Sequence, residues 1–176
     1  AVAEAYPDLK ASQNFKDNEQ ILFMLGTFQD RAGRFDEGIV TMKKILEINP
    51  DNVNALNHIG YSYADKKVHL DEAEKLLKRA AQNSPSNAYV LDSLGWVYFQ
   101  KSEYKKALQL LTKANEITQD EPVLLEHLAD TYQKLGKGKE ALEVYKKIMR
   151  LSDKKSIDVL SDAESHERKL IGERVK

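Results

Sequence analysis

The pair Leu25–Gly26 returns as Ile59–Gly60, Leu94–Gly95 and Leu128–Ala129, at spacings of 34, 35 and 34 residues. A unit of that length is too small to bury its own apolar face, so each one has to lie against the next. The chain divides into four copies, 19–52, 53–87, 88–121 and 122–155. Three residues before each pair stands Leu22, Leu56, Leu91 or Leu125, and four after its first member stands Gln29, Tyr63, Tyr98 or Tyr132. Those intervals gather on one side of a helix. A small residue follows, Gly38, Ala73, Ala107 or Ala141, with Met42 and Ile45, Leu77 and Ala80, Leu111 and Ala114, or Tyr145 and Ile148 four and seven positions on. This is a second amphipathic helix.

Between the helices, "DRAGRFDE", "ADKKVHLDE", "QKSEYKK" and "QKLGKGKE" are short enough to make each copy an antiparallel hairpin. The small residues at both registers are expected where two helices approach closely. Pro50 and Pro85 stop second helices, Asp51, Asn52, Ser86 and Asn87 are candidate caps, and Pro122 suits a first helical turn. Residues 1–18 read as the end of an earlier repeat or a linker. Residues 156–176 place Ile157, Leu160, Leu170, Ile171 and Val175 where a capping helix would gather them on one stripe.

Composition removes several classes of function. Lys and Arg number 27 against 28 Asp and Glu, so the net charge of -1 supplies no broad cationic field, and no nucleic-acid partner is expected. The absence of cysteine removes disulfides, thiolate metal sites and cysteine nucleophiles, without choosing a redox compartment. The longest apolar run, Ile21 to Leu25, is far short of the roughly 20 residues that a membrane span needs. Beginning at Ala1 without an apolar signal region, the sequence reads as a trimmed or processed piece.

Catalytic chemistry is not apparent. His58, His69, His127 and His166 are scattered outside any H-E-x-x-H spacing, so no metal, cofactor or catalytic residue is expected. His127 and Asp130, three apart on one helix, read as a surface pair. "GKGK" at Gly136–Lys139 lacks the P-loop spacing and falls where each copy needs a turn. Paired lysines such as Lys43–Lys44 and Lys105–Lys106 read as a solvated outer face.

With its 34-residue period, the pattern "LDSLGWVY...A...L..A" resembles the tetratricopeptide repeat over residues 19–155. Gln29 in place of the usual aromatic, Gly38 in place of alanine, and the missing closing prolines at Gln119 and Asp153 depart from the family's pattern. The resemblance implies an all-α, right-handed superhelical solenoid of antiparallel hairpins with a C-terminal helix. It also implies a noncatalytic adaptor that holds a peptide or protein on the concave side. The wording around "ALNHIGYSYAD" and "YVLDSLGWVYF" is similar to repeat proteins of the Gram-negative envelope. That similarity implies a bacterial envelope or periplasmic scaffold in assembly, secretion or proteolysis, with an outer-membrane anchor in a longer form, a cytoplasmic location being the alternative.

On such a fold the first helices present the residues outside the Leu/Gly/Tyr stripe to the groove. These are Gln20, Phe23, Thr27 and Asp30, then Asn54, Asn57, Tyr61 and Ala64, then Tyr89, Asp92, Trp96 and Phe99, then Val123, Glu126, Asp130 and Gln133. The candidate binding set is Asn54, Asn57, Tyr61, Tyr89, Asp92, Trp96, Phe99, Glu126 and Asp130. Rings would hold apolar side chains, amides would pair with a peptide backbone, and carboxylates would favour a basic partner. Trp96, directly after Gly95, is expected to point toward the groove, the alternative being packing on Phe99 and Tyr61. Phe23, Thr27, Tyr61, Tyr89 and Ser93 stand where chaperone-binding relatives carry their carboxylate clamp, which disfavours a co-chaperone. A self-associating scaffold, monomeric or weakly oligomeric in solution, is the second functional reading.

Overall fold

The computed structural model of the chain describes residues 7–153, with side chains from residue 16 onward. The capping helix expected at 156–176 lies outside the described residues. Within them the order is α1 Pro7–Arg31, α2 Phe35–Ile48, α3 Val53–Lys66, α4 Leu70–Asn83, α5 Ala88–Gln100, α6 Tyr104–Ile117 and α7 Pro122–Lys134, followed by a helix, α8, over 138–153. The described chain is an all-α solenoid. α1 packs on α2, α3 on α4 and α5 on α6, and each pair leans on the next through α3 against α5, α4 against α5 and α6 against α7. Residues 7–18 form the first half of α1.

The small residues make these pairings possible. A methyl group on Gly60 would sit 2.5 Å from Leu77 Cγ, and one on Gly95 would sit 2.8 Å from Leu111 Cγ. Leu77 and Leu111 fill that room and are wholly buried, as are Met42, Ile45, Leu56 and Ile59. Burial of each such side chain contributes about 1.5 to 3 kcal/mol. In the first copy Gln29 is buried where the others carry tyrosine, and Thr41 Oγ1 donates to its Oε1 at 2.7 Å. The other copies place Leu76, Leu110 and Val144 at the register of Thr41. The exception is therefore a matched polar pair.

Turns repeat as faithfully as helices. Gly33, Lys67, Ser102 and Gly136 stand at one register and all adopt positive φ, 76°, 57°, 62° and 73°. In "GKGK", Gly136 and Lys137 make the turn, with Gly136 in the left-handed region that glycine adopts without steric cost, and Gly138 and Lys139 begin α8. Asn52 Oδ1 caps α3 by accepting from Ala55 N at 3.0 Å, and Asn87 Oδ1 caps α5 by accepting from Tyr89 N and Val90 N. Asp51, a candidate cap, instead accepts from Arg79 Nε at 2.7 Å and ties the turn to α4. Pro122 opens α7.

Candidate functional site

The first helices bring their free faces together along one side of the solenoid, and three cavities run across it. One of about 410 Å³ is lined by Lys16, Glu19, Gln20, Phe23, Met24, Asn52 and Asn54. The second, about 230 Å³, shares Phe23 and Asn54 with it and continues to Asn57, His58, Tyr61, Asn87, Tyr89 and Val90. The third, about 300 Å³, shares Asn57, Tyr61 and Tyr89 and ends at Asp92, Ser93, Glu121, Val123 and Leu124. Shared walls make these one groove over α1, α3, α5 and the start of α7.

Aromatic and amide groups dominate its middle. Tyr89 is exposed and Tyr61 half-buried, while Asn57 Oδ1 is buried without a hydrogen-bond partner. A buried acceptor left unpaired is costly, which favours an N–H donor from outside the chain. The field there is negative: burial chiefly, then the carboxylates of Asp65, Asp92 and Glu126, hold the Tyr61 phenol above its ordinary pKa. Burial lowers the pKa of His58, with Asp30 opposing, and Phe23 meets its ring edge-on at 6.0 Å between centroids.

Asn54, Asn57, Tyr61, Tyr89 and Asp92 of the expected set line this groove, whereas Trp96, Phe99, Glu126 and Asp130 line none of its three cavities. For Trp96 and Phe99 the reason is His127. It is buried rather than on the surface, and Nδ1–H donates to Asp92 Oδ1 at 2.9 Å instead of meeting Asp130. The imidazole also stacks on Trp96, 4.0 Å between centroids at 15°, and Trp96 stacks on Phe99, 4.5 Å at 12°. Trp96 is thus the middle of a three-ring column between α5 and α7, and Asp92 is not an unpaired groove carboxylate. Asp130 accepts from the Tyr145 hydroxyl at 2.7 Å. That donation first, then burial, pushes the Tyr145 pKa up to about 12. Glu126 remains exposed.

His127 was missed because it was read within its own helix. Laid over the other copies, it shares a register with His58, and each imidazole meets the side chain one position earlier in the preceding copy, Asp92 or Phe23. Among the described residues no cluster of three or more His, Asp or Glu could hold a metal ion, and no helix is long and apolar enough to cross a membrane.

Family models match two stretches of the chain. The tetratricopeptide repeat model covers residues 19–52, and that of the anaphase-promoting complex, cyclosome, subunit 3, covers 66–148. Residues 19–52 thus belong to the tetratricopeptide repeat family. Solved structures share its fold. A MamA from AMB-1 superposes with a TM-score of 0.62 at 23% identity, over 86% of this chain and 93% of that one. A MamA from Desulfovibrio magneticus RS-1 superposes with a TM-score of 0.66 at 21% identity, over 79% and 78%. No curated protein matches the chain in sequence.

Proposed function

We propose that the chain is a noncatalytic scaffold that holds an extended segment of a protein partner, apolar and basic in character, along the groove of α1, α3, α5 and α7. The observation that carries this reading is the continuity of the three cavities through Phe23, Asn54, Asn57, Tyr61 and Tyr89. A compact ligand would use one cavity, whereas an extended chain places successive side chains in successive ones. Tyr61 and Tyr89 offer ring faces, Asn57 offers its unpaired carbonyl oxygen, and the negative field selects lysine or arginine. The resemblance of the sequence to envelope repeat proteins extends this reading to assembly, secretion or proteolysis in a bacterial envelope, with a periplasmic location.

Selection of displayed random peptides on the chain, followed by calorimetry, tests it. The selected peptides should combine aromatic or aliphatic residues with lysine or arginine. Tyr61→Ala and Asn57→Ala should weaken them about tenfold or more, with little change in melting temperature. Peptides that bind both variants as tightly as the parent would overturn the assignment of the groove.

A further inference from the structure

The last of the three cavities differs in chemistry from the two before it. The first carries both signs, Lys16 and Glu19, and the Glu19 carboxylate already accepts from the Asn52 side-chain amide at 2.6 Å. The second has no carboxylate, ammonium or guanidinium among its lining groups. In the third, about 300 Å³ between α3, α5 and the start of α7, the charged groups are the carboxylates of Asp92 and Glu121, and among the described residues no lysine or arginine lines it.

The polar atoms of this cavity chiefly accept. Asn57 Oδ1 is buried without a hydrogen-bond partner. Ser93 is buried and donates its hydroxyl hydrogen to Tyr89 O at 2.8 Å, so lone pairs are what it has left to offer. Asp92, 7% exposed, spends Oδ1 on the His127 N–H and keeps Oδ2. Burying a carboxylate this deeply carries a desolvation cost that one imidazole N–H offsets only in part. Glu121 makes no side-chain bond to the start of the helix it precedes. The negative charge extends to Tyr61, whose phenol is held above its ordinary pKa by burial first, then by Asp65, Asp92 and Glu126. A neutral ligand would bring further lone pairs to such a wall, whereas a group that only donates would satisfy it.

We propose that this cavity is a guanidinium subsite, which takes one arginine side chain of the bound segment and so sets the register of that segment along the groove. The proposal rests on the groove reading and deepens it. Arginine fits better than lysine on three counts. Its five N–H donors match the acceptors of Asn57, Asp92, Ser93 and Glu121, where an ammonium has three. Its flat face stacks on the rings of Tyr61 and Tyr89, and it is the more weakly hydrated cation to bring into a buried site. With the arginine held here, the apolar residues of the segment fall toward Phe23 and Met24 in the first cavity.

Amide NMR of the chain titrated with N-acetylarginine methylamide, beside its citrulline and lysine counterparts, tests it. Citrulline keeps the shape of arginine and loses the charge. The arginine compound should shift the Asn57 side-chain amide and the backbone amides of Tyr89, Ser93 and Glu121 saturably. It should bind at least about tenfold more tightly than the citrulline compound and about threefold more tightly than the lysine one. Tyr89 is exposed and Glu121 half-buried, so Tyr89→Ala and Glu121→Gln should each weaken it about threefold or more at an unchanged melting temperature. Absence of shifts at these residues, equal affinity for either counterpart, or affinity unmoved in both variants overturns the proposal. A peptide selected on the chain separates this inference from the reading it rests on. Replacing its arginine by citrulline should cost about tenfold in the parent and only about threefold in Glu121→Gln, whereas Met24→Ala, in the first cavity alone, should weaken both forms alike. A peptide weakened by Met24→Ala but indifferent to citrulline keeps the groove and overturns the arginine subsite. One sensitive to citrulline and Glu121→Gln but indifferent to Met24→Ala keeps the subsite and overturns the extended groove.

Discussion

At the scale of single residues, Trp96 carries two consequences of one position. Following Gly95, it leaves the Leu91/Leu94/Tyr98 stripe, which the spacing alone reveals. Its neighbour on the far side, His127, comes from the next copy and closes the column with Phe99. Trp96→Ala should therefore lower stability by about 3 kcal/mol, because it removes two stacked contacts and leaves a cavity between α5 and α7. Urea unfolding measures this; an unchanged midpoint would mean that the column contributes nothing to the fold. Asp92 belongs to the same unit. Its acceptance of the His127 N–H gives both groups a partner in a buried setting, so it positions the column while lining the groove. Residue type and register alone put Tyr61, Asn57 and Tyr89 on the free face of the first helices, and there they line the cavities. They do not reveal what Asp92 and Trp96 pair with, because His127 lies a full copy away.

Between elements, each hairpin junction solves the same packing problem with different chemistry. In the first copy, Gln29 and Thr41 replace the tyrosine and aliphatic residue of the others. Thr41→Leu alone should cost about 1 to 3 kcal/mol, since it buries the Gln29 amide oxygen without a donor. Adding Gln29→Tyr should recover much of that loss, and a chemical-denaturation double-mutant cycle measures the recovery. Additive losses would contradict the pairing. Between α4 and α5 the apolar junction carries an ionic cluster at one end: Lys101 Nζ donates to Glu74 Oε2 at 2.6 Å and to Asp71 Oδ1 at 2.7 Å, and Tyr98 Oη donates to Glu74 Oε1 at 3.1 Å. Hydrogen bonds from Lys101 and then Lys78 hold the Glu74 carboxyl at about 2 instead of 4.5, with Tyr98 adding to them against burial. A depressed folded-state value means that this stability is complete above about pH 4.5 and is lost as pH falls toward about 2. The stability gap between the parent and Glu74→Gln should thus shrink on acidification through that window, and a gap that widens would contradict the assignment. The repeat period foretold that helices meet here. It did not foretell an ionic cluster there, because Glu74 takes the register that Ile39, Leu108 and Leu142 fill with carbon.

For the molecule as a whole, four registered copies made the fold legible from sequence. Small residues, apolar stripes and turns each recur at one spacing, so every copy supports the reading of the others. The groove was legible only in outline, as the side of the first helices left over when the stripe is removed. Its course depends on which of those side chains the neighbouring copy covers, and that is settled by packing. The proposed function rests on continuity: Phe23, Asn54, Asn57, Tyr61 and Tyr89 link three cavities across three helices, and no single copy contains the groove. The most direct measurement is backbone and side-chain amide NMR of the chain titrated with a selected basic, aromatic peptide. The predicted result is a band of shifts along α1, α3 and α5 that includes the Asn54 and Asn57 side-chain amides, with α2, α4 and α6 unmoved. Shifts concentrated on the outward lysines of α2, α4 and α6, with Asn57 and Tyr61 silent, would contradict it.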